Sequence, residues 1–143
     1  MGYRILHILD HSIPLHSGYT FRTAAILREQ RARGWETYHL TSEKQVDCNV
    51  PEEDVDGLHF YRTPGHTGAL SRLPALSPVA VMQSLAHRLR EVIAIVKPDI
   101  LHAHSPVLTA LPTLRAGRDF GIPVVYEVRA FWEDAAADQI GRA

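Results

Sequence analysis

Short apolar runs alternate with longer stretches of helical periodicity along this chain of 143 residues. The apolar runs are rich in strand-forming residues and predict strands over residues 3–9, 35–41, 57–63, 99–104 and 122–128. Helices are predicted over residues 19–33, from Ser77 up to Pro98, and over residues 106–120. Two stretches, the polar and acidic residues 42–56 and the Pro- and Gly-rich residues 64–77, are predicted as surface segments.

Each predicted helix carries its own stop signal and a set of apolar positions for the core. Gly34, Pro98 and Gly121 end the three helices, and Pro112 should kink the third helix or mark where its regular part begins. The first helix offers Ala24, Ala25, Ile26, Leu27 and Ala32 for burial. The second offers Val79, Met82, Leu85, Ala86, Leu89, Ile93 and Val96, which recur every three or four residues.

This alternation of strands and helices predicts βαβ units with parallel strands and right-handed crossovers. The expected fold class is α/β, a Rossmann-like three-layer α/β/α sandwich with a mainly parallel sheet. Residues 1–143 are long enough for one such domain.

Composition excludes several classes of function. Fifteen basic residues face sixteen acidic ones, so the chain lacks the positive field that nucleic-acid binding needs. Cys48 is the only cysteine, which excludes an intramolecular disulfide and a multi-cysteine zinc site and suits a reducing compartment. No apolar run of 18 residues and no signal peptide are present, so we expect a cytoplasmic protein.

Ligands of parallel α/β sheets bind where strands end at their carboxyl edge, which here selects three segments: residues 10–18, 102–106 and 127–132. The first leads through His16, Ser17, Gly18 and Tyr19 into a helix, whose N-terminal amides could hold an anion or sugar hydroxyls. It lacks the glycines of a dinucleotide fingerprint and of a phosphate loop. A capped turn with incidental histidines is the alternative.

His102 and His104 alternate along a predicted strand and should therefore share one face of the sheet. They could hydrogen-bond a substrate hydroxyl, but a metal site needs a third ligand that no motif supplies, so structural histidines are favoured and no metal is predicted. Glu127 and Arg129 stand beside Trp132 where the last strand opens. Ligand contact and a structural Glu–Arg ion pair are both open for them.

The predicted loop before the second helix carries Leu70, Leu73 and Leu76 next to Arg72. These leucines could dip into a membrane surface or receive the lipid tail of a substrate. The alternative is that they fold back on their own domain.

Five segments together resemble the N-terminal domain of family-4 retaining glycosyltransferases, which have the two-domain GT-B fold. They are residues 16–19 (HSGY), 31–36 (RARGWE), 56–62 (DGLHFYR), 98–104 (PDILHAH) and 121–129 (GIPVVYEVR). The run that begins at Tyr126 is most similar to members that build exopolysaccharide, including an exosortase-associated group.

The resemblance implies transfer of a sugar, with retention of anomeric configuration, from a nucleoside-diphosphate-sugar to a saccharide or lipid-linked acceptor. It implies no obligatory metal or cofactor, and it places this chain on the acceptor side, facing its own C-terminal domain in the full-length enzyme. Peripheral membrane contact is the possibility that the loop leucines leave open. The implied substrate-binding residues are His16, Ser17, Gly18, Tyr19, His102, His104 and Arg129. The catalytic candidates are His104, Glu127 and Arg129, since Glu127-Val128-Arg129 stands where relatives have a histidine.

Such enzymes bind the donor in a C-terminal domain with a Glu-x7-Glu motif, and no pair of glutamates here has that spacing. We therefore expect this chain to be an N-terminal fragment that is inactive alone, because transfer needs both walls of the cleft. Two alternatives remain open at this point. They are a nucleotide-sugar epimerase of the same two-domain shape and a stand-alone, non-catalytic sugar-binding module.

Overall fold

Six strands and three helices alternate in the part of the chain that the computed structural model describes, residues 2–10, 18–42, 51–63, 77–105 and 107–128. In order they are β1 (Arg4–Leu9), α1 (Gly18–Ala32), β2 (Glu36–Thr41), β3 (Glu52–Val55), β4 (Leu58–Tyr61), α2 (Ser77–Val96), β5 (Ile100–His104), α3 (Val107–Phe120) and β6 (Val124–Glu127). The predicted alternation of strands and helices is confirmed.

The six strands form one sheet in the order β3-β4-β2-β1-β5-β6. All neighbours run parallel except β3 and β4, which are antiparallel. This is the mainly parallel α/β fold that the sequence predicts. Because β1 and β5 are central neighbours, the carboxyl ends of β1, β5 and β6 meet at one edge of the sheet.

The back face of the sheet, defined as the face under α2 and α3, is the main apolar core. Leu6 and Ile8 of β1, together with Leu101 of β5, pack there against Leu85 and Leu89 of α2. The front face, defined as the face under α1, has a smaller apolar cluster formed by Leu9, Leu27, Leu58 and Phe60. Alternation of side chains along each strand separates the two sets.

The helices α1 and α2 each bury a set of residues that differs somewhat from the predicted set. In α2, Val81 and Val92 are buried whereas Val79 is 46% exposed. In α1, Ala25 and Ala32 are exposed, and Thr20 and Thr23 are buried beside Ala24 and Leu27. The polar buried positions of α1 match the polar character of the front face beneath it.

The prediction that residues 42–56 are only a surface segment is wrong for Glu52–Val55, which form β3. The turn between β3 and β4 is Asp56-Gly57, and both residues have positive φ. Asp-Gly is a preferred two-residue hairpin turn for that reason, so the signal was present in the sequence. The acidic strand is held by Arg62, whose buried guanidinium lies 3.0 Å from Glu53.

The third helix passes through Pro112, which lies buried in its second turn. Gly121, with φ of 68°, follows the last helical residue as predicted. Gly117 brings α3 against the start of β6: a Cβ there would lie 2.3 Å from Val124 Cγ2. Among the described helices, none has both the length and the apolarity to span a bilayer.

Candidate functional site

The candidate site lies where β5 and β6 end, at the pair His104 and Glu127. The two residues are register partners on adjacent parallel strands. Oε2 of Glu127 lies 3.1 Å from Nδ1 of His104, which is fully buried, whereas the Glu127 side chain is 23% exposed. The carboxylate therefore fixes a buried imidazole on one side and reaches solvent on the other.

The N-terminal part of α1 lies at the same edge. Nη2 of Arg22 is 3.5 Å from Oε1 of Glu127. Arg22 stands about one turn after Gly18, where the helix begins, and the amides of a first helical turn have no partners within the helix. This contact joins α1 to the end of β6, while the approach of Gly18 to His104 and Arg129 stays a prediction.

A second histidine, which sequence reasoning missed, extends this arrangement into the front face. Nδ1 of His7 on β1 lies 2.8 Å from Nε2 of His104, and Nε2 of His7 lies 2.7 Å from Oε1 of Gln30 on α1. We call Gln30, His7, His104 and Glu127 the histidine chain. It joins α1, β1, β5 and β6 through side chains alone.

His102 stands beside this chain and confirms that the two histidines of β5 share a face. Its ring is stacked on His104, with centroids 4.3 Å apart and planes 5° from parallel. The centroid of His102 is 4.7 Å from that of His7, its register partner on β1. On the other side, His39 of β2 is the register partner of His7, with ring centroids 6.2 Å apart.

Burial keeps two of these imidazoles neutral. Desolvation lowers the pKa of His7 well below its usual 6.5, and the neighbouring His104, His102 and His39 add to that effect. Burial likewise lowers the pKa of His39 to about 3, despite its contact with the carbonyl oxygen of His59. At neutral pH His7 and His39 are therefore uncharged, hydrogen-bonding imidazoles.

The structure brings together three of the sequence-derived candidates: His102, His104 and Glu127. His16, Ser17 and Arg129 lie outside the described residues, as do the side chain of Tyr19 and the leucines Leu70, Leu73 and Leu76. Only the backbone of Gly18 and Tyr19 is described, and it forms the start of α1. His7 and Gln30 were missed because the sequence does not say which strands become neighbours.

Comparison with known families gives a match over residues 17–143 to the model described as glycosyl transferase 4-like domain. None of the curated proteins searched matches the chain. Among solved structures, sucrose-phosphate synthase from Thermosynechococcus elongatus superposes with a TM-score of 0.65 at 12% identity, over 90% of this chain and 33% of that one. The calicheamicin glycosyltransferase superposes with a TM-score of 0.61 at 15% identity, over 92% of this chain and 31% of that one.

A third solved structure, the C-terminal domain of a hydrogenase from Pyrococcus furiosus, superposes with a TM-score of 0.62 at 17% identity. It covers 87% of this chain and 90% of that domain. At these identities the superpositions establish the fold alone. The chain spans about a third of the length of the two sugar-metabolic enzymes, as the coverages of 33% and 31% show.

Proposed function

Because the chain belongs to the glycosyl transferase 4-like domain family, we propose that it forms the acceptor-side domain of a glycosyltransferase. The reaction is transfer of a sugar from a nucleoside-diphosphate-sugar to a hydroxyl of a saccharide or lipid-linked acceptor. The observation that supports this placement best is the Glu127 carboxylate, held by His104 and by Arg22 at the carboxyl edge of the sheet.

The chemistry of this edge suits a polyhydroxylated substrate. The partly exposed carboxylate of Glu127 can accept hydrogen bonds from sugar hydroxyls, while Arg22 and the first amides of α1 supply donors. Those donors also suit a phosphate oxygen, because a helix N-terminus and a guanidinium both favour negative charge. His104 is buried behind the carboxylate, so we assign it as a positioning residue that fixes the orientation of Glu127.

The finer parts of the proposal rest on the resemblance described above. They are retention of anomeric configuration, catalysis without a cofactor or obligatory metal, and a role in exopolysaccharide or cell-envelope glycan synthesis. They also include a separate donor-binding domain that completes the cleft, and action in the cytoplasm next to the inner face of the plasma membrane. The isolated chain would then bind acceptor but transfer no sugar.

Two measurements test the proposal. In the first, the isotope-labelled chain is titrated with saccharides and lipid phosphates, and NMR is expected to show shifts in the amides of Gly18, His104 and Glu127 together. In the second, the protein as its gene encodes it is incubated with a panel of nucleoside-diphosphate-sugars and acceptors. The expected result is an acceptor-dependent glycoside whose anomeric configuration matches that of the donor.

A matched pair of variants distinguishes the effect of removing a charge at the proposed site from the effect of removing one elsewhere on the surface. Glu127→Gln removes the charge at the proposed site. Glu29→Gln removes an exposed charge near the C-terminal end of α1. Only the first should weaken acceptor binding, by about tenfold or more, since a charge-assisted hydrogen bond is lost. Conversion of the donor sugar without an acceptor would instead identify an epimerase. Amide shifts confined to the opposite edge of the sheet would contradict the proposed site.

A further inference from the structure

The front face holds three imidazoles that belong to two neighbouring strands and point at one another. His7, His102 and His104 each offer a ring nitrogen, and the three nitrogens lie within 4.8 Å of one another. The placement follows from pairing, because His7 and His102 are register partners and His104 follows two residues later on the same face. A His-x-His pair on one strand is thus completed by a third histidine from its neighbour.

The groups around these rings determine which ring nitrogens carry the protons and which present lone pairs. The Glu127 carboxylate beside Nδ1 of His104 can only accept a hydrogen bond, so that nitrogen carries the proton in a neutral ring. Oε1 of Gln30 beside Nε2 of His7 is likewise an acceptor. In neutral rings the two remaining nitrogens, His7 Nδ1 and His104 Nε2, therefore both present lone pairs although they lie only 2.8 Å apart.

The histidine chain contains three contacts in a row, with an acceptor at each end: the Glu127 carboxylate and Oε1 of Gln30. Three hydrogen bonds would need three protons, but two neutral imidazoles supply only two. A cation between the facing nitrogens resolves that mismatch without changing either outer contact. We propose that His7, His102 and His104 bind a divalent transition-metal ion of the zinc class, with Glu127 and Gln30 orienting two of the three ligands. This site goes beyond the sugar-transfer function and does not depend on it.

The donor set is that of a transition-metal site. Imidazole nitrogens favour Zn²⁺, Ni²⁺ and Cu²⁺, whereas Mg²⁺ and Ca²⁺ prefer oxygen ligands. A histidine whose other nitrogen is bound by a carboxylate is the usual arrangement around zinc, and Glu127 gives His104 that partner. One negative charge from Glu127 also offsets part of the charge of the ion.

Only small movements are needed to close the site. With metal–nitrogen bonds of about 2.0–2.1 Å, ligand nitrogens of a tetrahedral ion lie about 3.3 Å apart. The His7–His104 pair at 2.8 Å must open slightly, and His102 must turn from its stacked position on His104 toward the same point. His102 is only partly buried, which gives the ion an approach from solvent and leaves a fourth position for water.

The test titrates the chelator-treated 143-residue chain with Co²⁺, whose visible absorption reports nitrogen coordination, and then displaces it with Zn²⁺. We expect one equivalent to bind, no competition from Mg²⁺, and a rise in the melting temperature. His102→Ala should weaken binding at least tenfold. Glu127→Gln should weaken it by about 10- to 100-fold, as loss of a carboxylate behind a metal-bound histidine does. His87→Ala removes an exposed histidine of α2 and should change nothing.

A readout on the unaltered chain keeps the proposal falsifiable if a variant fails to fold. On addition of Zn²⁺, the ¹⁵N resonances of Nδ1 of His7 and Nε2 of His104 should move to values typical of a coordinated nitrogen. Movement confined to other histidines would overturn the site, and so would equal binding by His102→Ala or the absence of any one-equivalent Co²⁺ complex. In that case the Gln30 amide is turned so that its N–H donates to Nε2 of His7, and the proton of His7 lies on Nδ1, which donates to Nε2 of His104.

Discussion

The carboxylate of Glu127 lies 3.1 Å from Nδ1 of His104, and the two residues are exact register partners on parallel strands. His104 is fully buried, so this contact satisfies one of its ring nitrogens where water does not reach. The pair therefore links the stability of the β5–β6 edge to the carboxylate proposed to contact substrate.

Replacing that carboxylate should destabilise the domain. Glu127→Ala leaves a buried ring nitrogen without its acceptor, and we expect the free energy of unfolding to fall by about 1–3 kcal/mol. Urea denaturation monitored by circular dichroism measures the change. Glu29→Ala removes an exposed, long ion pair with Arg33 and should cost less than about 0.5 kcal/mol. Equal losses in both variants would show that the His104 contact contributes nothing.

Acid should destabilise the domain through the buried histidines of the front face. The folded-state pKa of His39 is about 3, whereas that of an unfolded histidine is about 6.5. As pH falls below 6.5 the unfolded state takes up a proton that the folded state refuses, so stability declines by up to about 1.4 kcal/mol per pH unit for this group.

The variant His39→Gln should flatten this dependence between pH 6.5 and pH 4.5, with His7 accounting for part of the slope that remains. Urea denaturation at several pH values gives the slope directly. His87→Gln, at an exposed site, should keep the slope of the unaltered chain. An unchanged slope in His39→Gln would contradict the burial argument.

His59 on β4 should titrate in the opposite sense. Its ring nitrogens lie 2.8 Å from Asp54 and 3.1 Å from Glu52 on β3. Partial burial acts to lower the pKa of His59, but the hydrogen bonds to Asp54 and Glu52 outweigh it and raise the pKa above 6.5. The stability that this contact contributes is fully present below pH 6.5 and is lost as pH rises through the raised pKa.

NMR titration of the His59 ring should give this raised pKa, and Asp54→Asn should lower it. Asp56→Asn, in the turn of the same hairpin, is the matched control and should leave it in place. Because the His59 side chain is 40% exposed, the associated change in stability should stay within about 0.2–1 kcal/mol. A His59 pKa at or below 6.5 in the unaltered chain would refute the prediction.

Gly117 should not tolerate a methyl group. A Cβ at this position would lie 2.3 Å from Val124 Cγ2 and 2.8 Å from the carbonyl oxygen of Ile122, so α3 and β6 would have to separate. Gly117→Ala is expected to destabilise by about 1–3 kcal/mol even though alanine favours helix. Thermal denaturation measures this, with Arg118→Ala on the exposed side of α3 as control. A raised melting temperature would mean that helix propensity outweighs the contact.

Much of the fold could be predicted from local patterns. The apolar runs, Gly34, Pro98 and Gly121 define most strand and helix boundaries, and the sequence alternation implies a parallel sheet. Strand β3 was missed because Glu52 and Glu53 are poor strand formers. Their partners come from elsewhere in the chain: His59 of β4 lies beside Glu52, and Arg62, which follows β4, lies beside Glu53. The Asp56-Gly57 turn was the one local sign of that hairpin.

The candidate site could be predicted only in part, because some of its contacts lie within one strand and others depend on which elements become neighbours. Residues two apart on a strand share a face, so the approach of His102 to His104 follows from the sequence alone. The approach of His7 to His104 depends on β1 and β5 becoming neighbours, which is a property of the whole sheet. Gln30 is further removed, because its contact with His7 also depends on how α1 lies over the sheet.

The antiparallel strand β3 also affects how separate molecules meet. Among the strands that the structure describes it is the outermost on its side, and an outer strand offers unpaired backbone groups to any similar strand nearby. Here that rim carries the carboxylates of Glu52, Glu53 and Asp54 within four residues. The three carboxylates outnumber their two basic partners, His59 and Arg62, so the rim keeps a negative charge. Two copies approaching rim to rim would bring these like charges together, so this border of the sheet resists self-association.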